Sequence, residues 1–208
     1  SRSGFEHDVR IVSASPELFI SRKGQVLRSS PIKGTARIES ELLAKDQAEN
    51  IMIVDLIRND LGHVCESGSV QVLDLLRIEQ HPGLVHLVSD IEGTLPSNID
   101  WQAILSALSP PGSVSGAPKS SALEVIRRLE KVPREIYCGG FGWIDVDRDQ
   151  AQLAVSIRTF WQSETATERK INFGTGAGIT WDSDPLGEWH ETQLKASRLL
   201  DIAAMELD

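Results

Sequence analysis

Cysteines, long apolar runs and an excess of positive charge are all missing from this 208-residue sequence. Cys65 and Cys138 are its only cysteines, too few for a disulfide framework, which predicts a protein of the reducing cytoplasm. No apolar run approaches about eighteen residues, so we expect no membrane-spanning segment. Lysine and arginine number 21 against 30 aspartates and glutamates, a net charge of −9. That balance argues against nucleic acid as the main partner and suits a protein that gathers carboxylates around a cation.

Three familiar catalytic motifs are also absent. Glycines, Lys119 and Ser120 occur within residues 112–120, but their spacing is not that of a phosphate-binding P-loop. In the stretch 112–116, Val114 stands where a nucleophile elbow would need a serine. His190 and Glu191 lack a second histidine at the spacing of a zincin site. The chemistry must therefore be sought in other residues.

Hydrophobic periodicity and turn residues predict an α+β fold with mostly antiparallel strands, because no regular strand–helix alternation appears. The predicted strands are residues 9–12, 18–21, 25–30, 70–80, 84–95, 137–146, 151–163 and 170–173. The predicted helices are residues 39–59, 100–108, 118–131 and a last helix that begins at Asp184-Pro185. Residues 109–116 are predicted to form a loop. No repeat or linker divides the chain, so one domain over residues 1–208 is expected.

The stretch Pro31-Ile32-Lys33-Gly34-Thr35 carries a lysine beside an apolar neighbour. The proline predicts the end of strand pairing, and Gly34 predicts a turn in which the backbone passes close to another element. An amine held in a dry turn loses stabilisation of its charge and becomes a candidate nucleophile. The alternative is a solvated lysine at the end of a hairpin, which is the commoner case.

One face of the predicted last helix combines charged and apolar residues. Glu188, Glu191, Lys195, Leu199 and Ile202 fall on a single stripe, whose apolar C-terminal part is predicted to face the core. Charges on an inward stripe are costly unless they pair or hold a cation. The alternative is an ordinary exposed glutamate–lysine pair.

The first long helix offers a second pair of carboxylates, Asp46 and Glu49, three residues apart. Carboxylates from two helices can form an all-oxygen site for Mg²⁺, which retains several waters and accepts a substrate oxygen as a further ligand. The alternative is a pair of solvated acids favoured by the helix dipole.

Two further stretches favour the binding of an anion. The backbone N–H groups of the Gly174–Gly178 loop could cradle a carboxylate, although a plain turn is an equal alternative. Arg158 lies on a predicted, otherwise apolar strand and suits bidentate binding of a carboxylate. A structural ion pair is as common at such a position.

Together these residues resemble the chorismate-utilising enzymes, which include the anthranilate, aminodeoxychorismate, isochorismate and salicylate synthases. The resemblance follows the family's order along nearly the whole chain. The matching stretches are residues 15–19, 31–35, 48–62, 86–89, 115–119, 157–159, 176–178 and 188–195. It implies antiparallel sheets packed in a sandwich with helices on the outside.

The resemblance also implies a role for each matching residue. Lys33 would attack the chorismate ring, and Glu17 would be the general acid for the departing hydroxyl. The implied ligands of Mg²⁺ are Glu49 and Glu191, with Asp46 and Glu188 behind them. The implied substrate contacts are Arg158, Gly176, Ala177, Gly178, Lys195, His86, Ser113, Thr35 and Tyr137.

Within the family, Lys33 distinguishes between branches. Anthranilate synthases resemble Pro-Ile-Ala-Gly-Thr at this motif, whereas the lysine resembles aminodeoxychorismate synthase component I, the first enzyme toward 4-aminobenzoate and folate. That branch implies a partner glutaminase as the source of ammonia. The alternatives are anthranilate synthase component I and a non-catalytic remnant that binds chorismate-like acids or a glutaminase. The retained Glu17, Lys33, Glu49, Glu191 and Lys195 argue against decay.

The chain also departs from the family pattern. The family's domain is much longer, so residues 1–208 resemble its C-terminal portion, without the half that carries a tryptophan pocket in relatives. The connection from Thr35 to the helix predicted at Glu39 is shorter than the family's. Leu186, Gly187 and His190 stand where relatives often carry charged residues.

Overall fold

A computed structural model describes residues 10–164, 169–181 and 183–205 of the chain. The chain folds into two units. The larger unit contains Pro16–Pro133 and Cys138–Val155, and the smaller contains the chain up to Ser15, Arg134–Tyr137 and the chain from Ser156 onward. Each unit is built on its own antiparallel sheet.

The described strands are, in chain order, β1 (Arg10–Ser13), β2 (Leu18–Lys23), β3 (Val26–Ser30), β4 (Ile32–Ala36), β5 (Gln71–His81), β6 (Leu84–Thr94), β7 (Gly140–Asp145), β8 (Gln150–Val155), β9 (Thr159–Glu164) and β10 (Arg169–Phe173). The described helices are α1 (Ala44–Gly62), α2 (Trp101–Leu108), α3 (Gly112–Ser115), α4 (Lys119–Leu129) and α5 (Pro185–Ala204). A 3₁₀ turn covers Glu39–Glu41. None of the described helices combines the length and apolar character needed to cross a membrane.

The larger unit holds a seven-stranded sheet in the order β4-β6-β3-β2-β8-β7, with β5 paired to β6. All of these pairings are antiparallel, which confirms the predicted fold class. Strand β6 pairs with three strands, β3, β4 and β5, and every residue from Val85 to Ile91 is buried. Such a strand needs cover on both faces, and α1 supplies part of it.

The prediction that Pro31–Thr35 forms a turn is wrong, because Lys33 lies on strand β4. Strand β3 pairs with both β2 and β6, whereas β4 pairs with β6 alone among the described strands. The carbonyl of Pro31 accepts a hydrogen bond from Ser89 N at 3.2 Å, so pairing with β6 continues across the interruption between β3 and β4. Gly34 at φ 84° takes up the register shift between Ile32 and Thr35.

The predicted helix 39–59 begins later and ends later than expected. A 3₁₀ turn occupies its first residues, and α1 starts at Ala44, where Asp46 accepts a bond from Leu43 N at 2.9 Å. The predicted loop 109–116 contains the short helix α3. The predicted N-caps are confirmed: Asp100 accepts from Ala103 N and Asp184 from Gly187 N, each at 2.7 Å.

The predicted strand 151–163 is in fact two strands. Strand β8 belongs to the larger unit's sheet, whereas β9 is the centre of the smaller sheet, ordered β1-β9-β10. Arg158 lies between them at φ 50°, and its carbonyl accepts from Ala14 N at 3.0 Å. This left-handed residue breaks the extended run, so the prediction that Arg158 lies on a strand is wrong.

The apolar end of the last helix does not face a core. Ala196 is the one residue of α5 that is buried among those described, and Ile202 is 54% exposed. The spacing of the stripe is helical as predicted, but α5 makes only sparse contacts with the other described helices and strands. Its apolar side therefore lacks a packing surface in the described chain.

Candidate active site

The fifteen residues predicted for the site divide between the two units. Seven belong to the larger unit, namely Glu17, Lys33, Thr35, Asp46, Glu49, His86 and Ser113. Eight belong to the smaller unit, namely Tyr137, Arg158, Gly176, Ala177, Gly178, Glu188, Glu191 and Lys195.

Glu17, Lys33 and Ser113 meet in the larger unit. Glu17 precedes β2, where its carbonyl accepts a bond from Val155 N at 2.9 Å, and its side chain is buried. Lys33 lies on β4 and donates from Nζ to the carbonyl oxygen of Ser113 at 3.1 Å. Ser113 belongs to α3, so three separate elements place these residues together.

The environment of Glu17 favours the protonated carboxyl. Burial raises the pKa of Glu17 above its ordinary value of 4.5, while a hydrogen bond with the Ser113 side chain and the charge of Lys33 act in the opposite direction. Burial is the larger influence. A carboxyl that retains its proton at a higher pH is suited to general-acid catalysis beside an amine.

A pocket of about 330 Å³, which includes space open to solvent, adjoins Glu17. Its polar lining residues are Glu17, Ser29, Asp60 and Ser113. The remaining lining residues are Leu18, Phe19, Ile20, Ile57, Leu61, Leu108, Pro111, Gly112 and Val155. This apolar wall explains why the Glu17 carboxyl is poorly solvated.

Thr35 and His86 form a second contact of the larger unit. They face each other across the β4–β6 pairing, and Thr35 Oγ1 and His86 Nδ1 are 2.8 Å apart. The His86 ring is buried and meets His81 edge to face, with a centroid separation of 5.1 Å. The structure thus brings together two of the residues predicted to bind substrate.

The carboxylate of Asp46 and the backbone of Gly34 are close neighbours. A Cβ added at Gly34 would lie 2.9 Å from Asp46 Cβ, so only glycine permits this approach of α1 to β4. The prediction that the backbone passes close to another element at Gly34 is confirmed. Asp46 and Glu49 are half-buried on one side of α1.

Asn50 fixes that side of α1 against the sheet. Its amide donates to the Leu87 carbonyl at 3.1 Å and accepts from Ser89 Oγ at 2.6 Å. Ser89 Oγ in turn accepts from Leu76 N at 3.0 Å. Asn50 is fully buried, so the rotation of α1, and with it the direction of Glu49, is set by these bonds.

In the smaller unit, Tyr137 packs against the glycine-rich loop. A Cβ at Gly174 would collide with the Tyr137 ring, and one at Gly176 would lie 2.8 Å from its hydroxyl oxygen. The Arg134 guanidinium lies 6.0 Å from the centre of the same ring. Contact with Tyr137 therefore explains why glycine is required at positions 174 and 176, while anion binding by the loop stays a prediction.

Glu188 and Glu191 of α5 already have partners within the smaller unit. Glu191 Oε1 pairs with Lys195 Nζ at 2.6 Å, and both side chains are 42% exposed. Glu188 accepts from Ser183 Oγ at 2.8 Å. The first contact is the exposed glutamate–lysine pair that the sequence offered as the alternative.

The donor sets fit Mg²⁺ in chemistry. Each unit supplies two carboxylates three residues apart on one helix, Asp46 with Glu49 and Glu188 with Glu191. The described residues contain no group of three or more His, Cys, Asp or Glu side chains placed to hold an ion. The metal site therefore stays a prediction.

Lys119 and Asp60 form a buried ion pair that the sequence did not predict. Lys119 Nζ lies 2.5 Å from Asp60 Oδ2, and the two side chains are 16% and 9% exposed. Burial raises the pKa of Asp60, against the hydrogen bond and charge of Lys119 and the charge of His63. Lys119 falls in a P-loop pattern that failed and in the family-like stretch 115–119, but nothing in the spacing of the two residues pairs them.

Residues 4–201 match the family model described as chorismate binding enzyme. The chain belongs to the chorismate binding enzyme family.

Members of this family with two different names are similar to the chain. Aminodeoxychorismate synthase component 1 of Bacillus subtilis is 37% identical, over 96% of this chain and 44% of the relative. Anthranilate synthase component 1 of Aquifex aeolicus is 38% identical, over 92% of this chain and 40% of the relative. The crystal structure of anthranilate synthase component I from Streptococcus pneumoniae superposes with a TM-score of 0.79 at 34% identity, over 93% of this chain and 44% of that one.

The chain thus spans less than half the length of these relatives. Their shared fold confirms the predicted chorismate-binding architecture. Their near-equal identities do not separate the aminating branches, so the particular reaction has to be argued from the site.

Proposed function

We propose that this chain is the chorismate-aminating part of an aminodeoxychorismate synthase component I, which converts chorismate and ammonia to 4-amino-4-deoxychorismate. The observation that carries the proposal is the contact of the Lys33 amine with Ser113 beside the buried Glu17 carboxyl. The Lys33 amine and the Glu17 carboxyl both contact Ser113 of helix α3. A nucleophile and an acid held near the same residue suit a displacement in which a hydroxyl departs.

In the first step, the neutral Lys33 amine forms a bond to C2 of the chorismate ring. The ring double bonds shift, the C4–O bond breaks, and Glu17 gives its proton to the departing hydroxyl, which leaves as water. Hydroxide is a poor leaving group, so the step needs an acid, and the raised pKa of Glu17 keeps that proton available. The proton lost from the Lys33 nitrogen passes to solvent or to the Glu17 carboxylate.

In the second step, ammonia forms a bond to C4, the double bonds shift back, and the C2–N bond to Lys33 breaks. The amine recovers a proton and the product leaves. The covalent adduct divides one difficult displacement into two easier ones. We propose a glutamine amidotransferase subunit as the source of ammonia, which the component 1 names of the relatives support.

The remaining site residues bind and orient the substrate. Bound Mg²⁺ would neutralise the ring carboxylate, and Glu49 and Glu191 are proposed to hold it, with Asp46 and Glu188 behind them. We assign carboxylate binding to Arg158, Lys195 and the backbone of residues 176–178. His86, Thr35, Ser113 and Tyr137 are proposed to contact the substrate.

Anthranilate synthase component I is the second candidate, because relatives with that name are as similar to the chain as those named for aminodeoxychorismate. That reaction requires elimination of pyruvate after amination. A protein that binds chorismate-like acids or a glutaminase without turnover is the third candidate.

A product assay separates the three candidates. The full-length protein is incubated with chorismate, Mg²⁺ and ammonium, and the products are resolved by liquid chromatography and mass spectrometry. We expect 4-amino-4-deoxychorismate. Anthranilate with pyruvate would establish the second candidate, and unchanged chorismate would establish the third.

A further inference from the structure

One side chain closes the base of the loop that carries Ser113. Residues 109–118 join the last residue of α2, Leu108, to the first residue of α4, Lys119. The Lys119 ammonium bonds Asp60 Oδ2 at 2.5 Å, the Leu108 carbonyl at 3.2 Å and the Ala107 carbonyl at 3.4 Å. Three helices, α1, α2 and α4, therefore meet at one nitrogen atom.

Each acceptor has a physical reason to bind a cation. The carbonyls of Ala107 and Leu108 belong to the last turn of α2, where they lack intrahelical partners and lie at the negative end of the helix dipole. Asp60 is buried on α1. The Lys119 ammonium donates hydrogen bonds to all three of these oxygen atoms. In a poorly solvated environment such charge-assisted hydrogen bonds are strong and fix the geometry.

The loop also lies directly on α1. A Cβ added at Gly112 would lie 2.6 Å from Leu56 Cδ2 and 3.7 Å from Asp60 Oδ2. The next residue, Ser113, accepts the Lys33 ammonium on its carbonyl and hydrogen-bonds Glu17 with its side chain. A movement of the loop away from α1 would thus displace the contacts of both Lys33 and Glu17.

We propose that the Asp60–Lys119 pair holds loop 109–118 on α1, so that Ser113 fixes the positions of the Lys33 amine and the Glu17 carboxyl. Asp60 and Lys119 are positioning residues, since they act through Ser113. The consequence for catalysis rests on the proposed function, whereas the placement of the Lys33 amine does not.

Site-specific acetylation of Lys33 tests the placement without substrate. The full-length protein is treated with a trace of acetic anhydride, and peptide mass spectrometry gives the rate at Lys33 relative to exposed Lys23. In Lys119→Met we expect this ratio to rise about fivefold, because the Lys33 amine would lose its hydrogen bond to Ser113, which is worth about 1 kcal/mol. Leu27→Ala removes a buried side chain that does not line the Glu17 pocket, and it should leave the ratio unchanged.

The double variant Asp60→Leu with Lys119→Met covers the case in which Lys119→Met does not fold, because it leaves no unpaired charge in the interior. It should also show the increased ratio. An unchanged ratio in the folded double variant would overturn the proposal, and so would an equal increase in Leu27→Ala, which would indicate general loosening.

Kinetics then connect placement to catalysis. In the double variant kcat for amination should fall by about tenfold while the KM for chorismate changes little, because the reacting groups and not the binding groups are displaced. An altered acetylation ratio with unaltered kcat would overturn the catalytic consequence. A wild-type protein that aminates nothing but shows the altered ratio on substitution would refute the proposed function and leave the positioning role in place.

Discussion

The two candidate reacting groups, Glu17 and Lys33, place opposite demands on the space they share. The amine must be neutral to attack, and a neighbouring carboxylate would hold it in the ammonium form. Burial of Glu17 raises its pKa and so reduces that opposition. The neutral carboxyl is also the form that donates a proton, so both requirements are met by one protonation state of Glu17.

Lys33→Ala should abolish covalent trapping of chorismate. With Mg²⁺ and no ammonia, the wild-type full-length protein should gain a chorismate-derived mass on Lys33, because the second step lacks its nucleophile. The variant should lose this adduct and most of the amination rate, by about 10³-fold or more, yet still bind chorismate. Intact-protein mass spectrometry with peptide mapping is the measurement. An adduct on another residue would redirect the mechanism toward direct attack by ammonia.

Glu17 should make stability depend on pH in a defined direction. A carboxyl whose pKa is raised in the folded state contributes stability that is complete below its ordinary value of 4.5 and is lost as pH rises through the folded-state pKa. Glu17→Gln has no such proton to lose. The free energy of unfolding of the wild type should therefore fall relative to that of the variant as pH increases above 4.5.

Denaturant midpoints of both proteins, measured at a series of pH values, check this expectation. A constant difference between wild type and Glu17→Gln would show that the carboxyl is not perturbed by folding. In the amination assay, activity should decline as pH rises through the pKa of Glu17, because the general acid is then deprotonated.

At the scale of elements, Gly34 is where α1 and β4 come closest. Gly34→Ala should cost about 1–2 kcal/mol for a left-handed backbone and about 1–3 kcal/mol more for the contact with Asp46. Gly24→Ala is the matched control, since Gly24 has φ 61° and nothing within 4 Å of an added Cβ. It should cost only the backbone part. Equal losses in the two urea-unfolding curves would show that the approach of α1 is not restrictive.

Sequence patterns predicted elements well where local chemistry determines them. The caps at Asp100 and Asp184 were readable, because the capping bond is made within one turn of the helix. Strand β6 was readable because it is buried on both faces and flanked by a turn at Pro82-Gly83.

Errors arose where a distant partner decides the local structure. Strand β4 continues past Pro31 because Ser89 of β6 bonds its carbonyl, and no pattern within residues 31–35 contains that information. Apolar residues recur along the whole run 151–163, so the left-handed break at Arg158 is hidden in the pattern. Lys119 and Asp60 are far apart in sequence, and a buried pair leaves no local mark. Lys33 was a candidate nucleophile from its neighbours in residues 31–35, although a solvated lysine was the commoner alternative, whereas Glu17 was found only through family resemblance.

For the whole molecule, exposed apolar side chains are the outstanding surface feature of the described chain. Trp181 is 99% exposed, Leu194 76%, Trp189 58% and Trp143 51%. The chain spans less than half the length of the relatives it matches. Leu194 and Trp189 lie on α5 and Trp143 lies on β7, whereas Trp181 precedes α5.

Expressed alone, residues 1–208 should therefore bind a hydrophobic dye such as anilinonaphthalene sulfonate and associate at micromolar concentration. Trp143→Gln and Trp189→Gln should each reduce dye binding, whereas Trp101→Phe, at a half-buried site, should not. Fluorescence titration and light scattering are the measurements. A monomeric segment with a sharp melt and no bound dye would contradict the expectation.

The long hairpin of β5 and β6 has a consequence for the order in which the chain folds. Its two eleven-residue strands meet through a turn at Pro82-Gly83, so pairing begins with a small loss of chain entropy. Glu17 and Ser113 are separated by roughly a hundred residues, and their meeting must close a far larger loop. The hairpin is placed to form early and serve as a template for β3 and β4, while the reactive centre assembles late. In pulse-labelling hydrogen exchange, the amides of β6 should gain protection before the Ser113 loop does, so a nascent chain would possess its scaffold before it could hold a substrate.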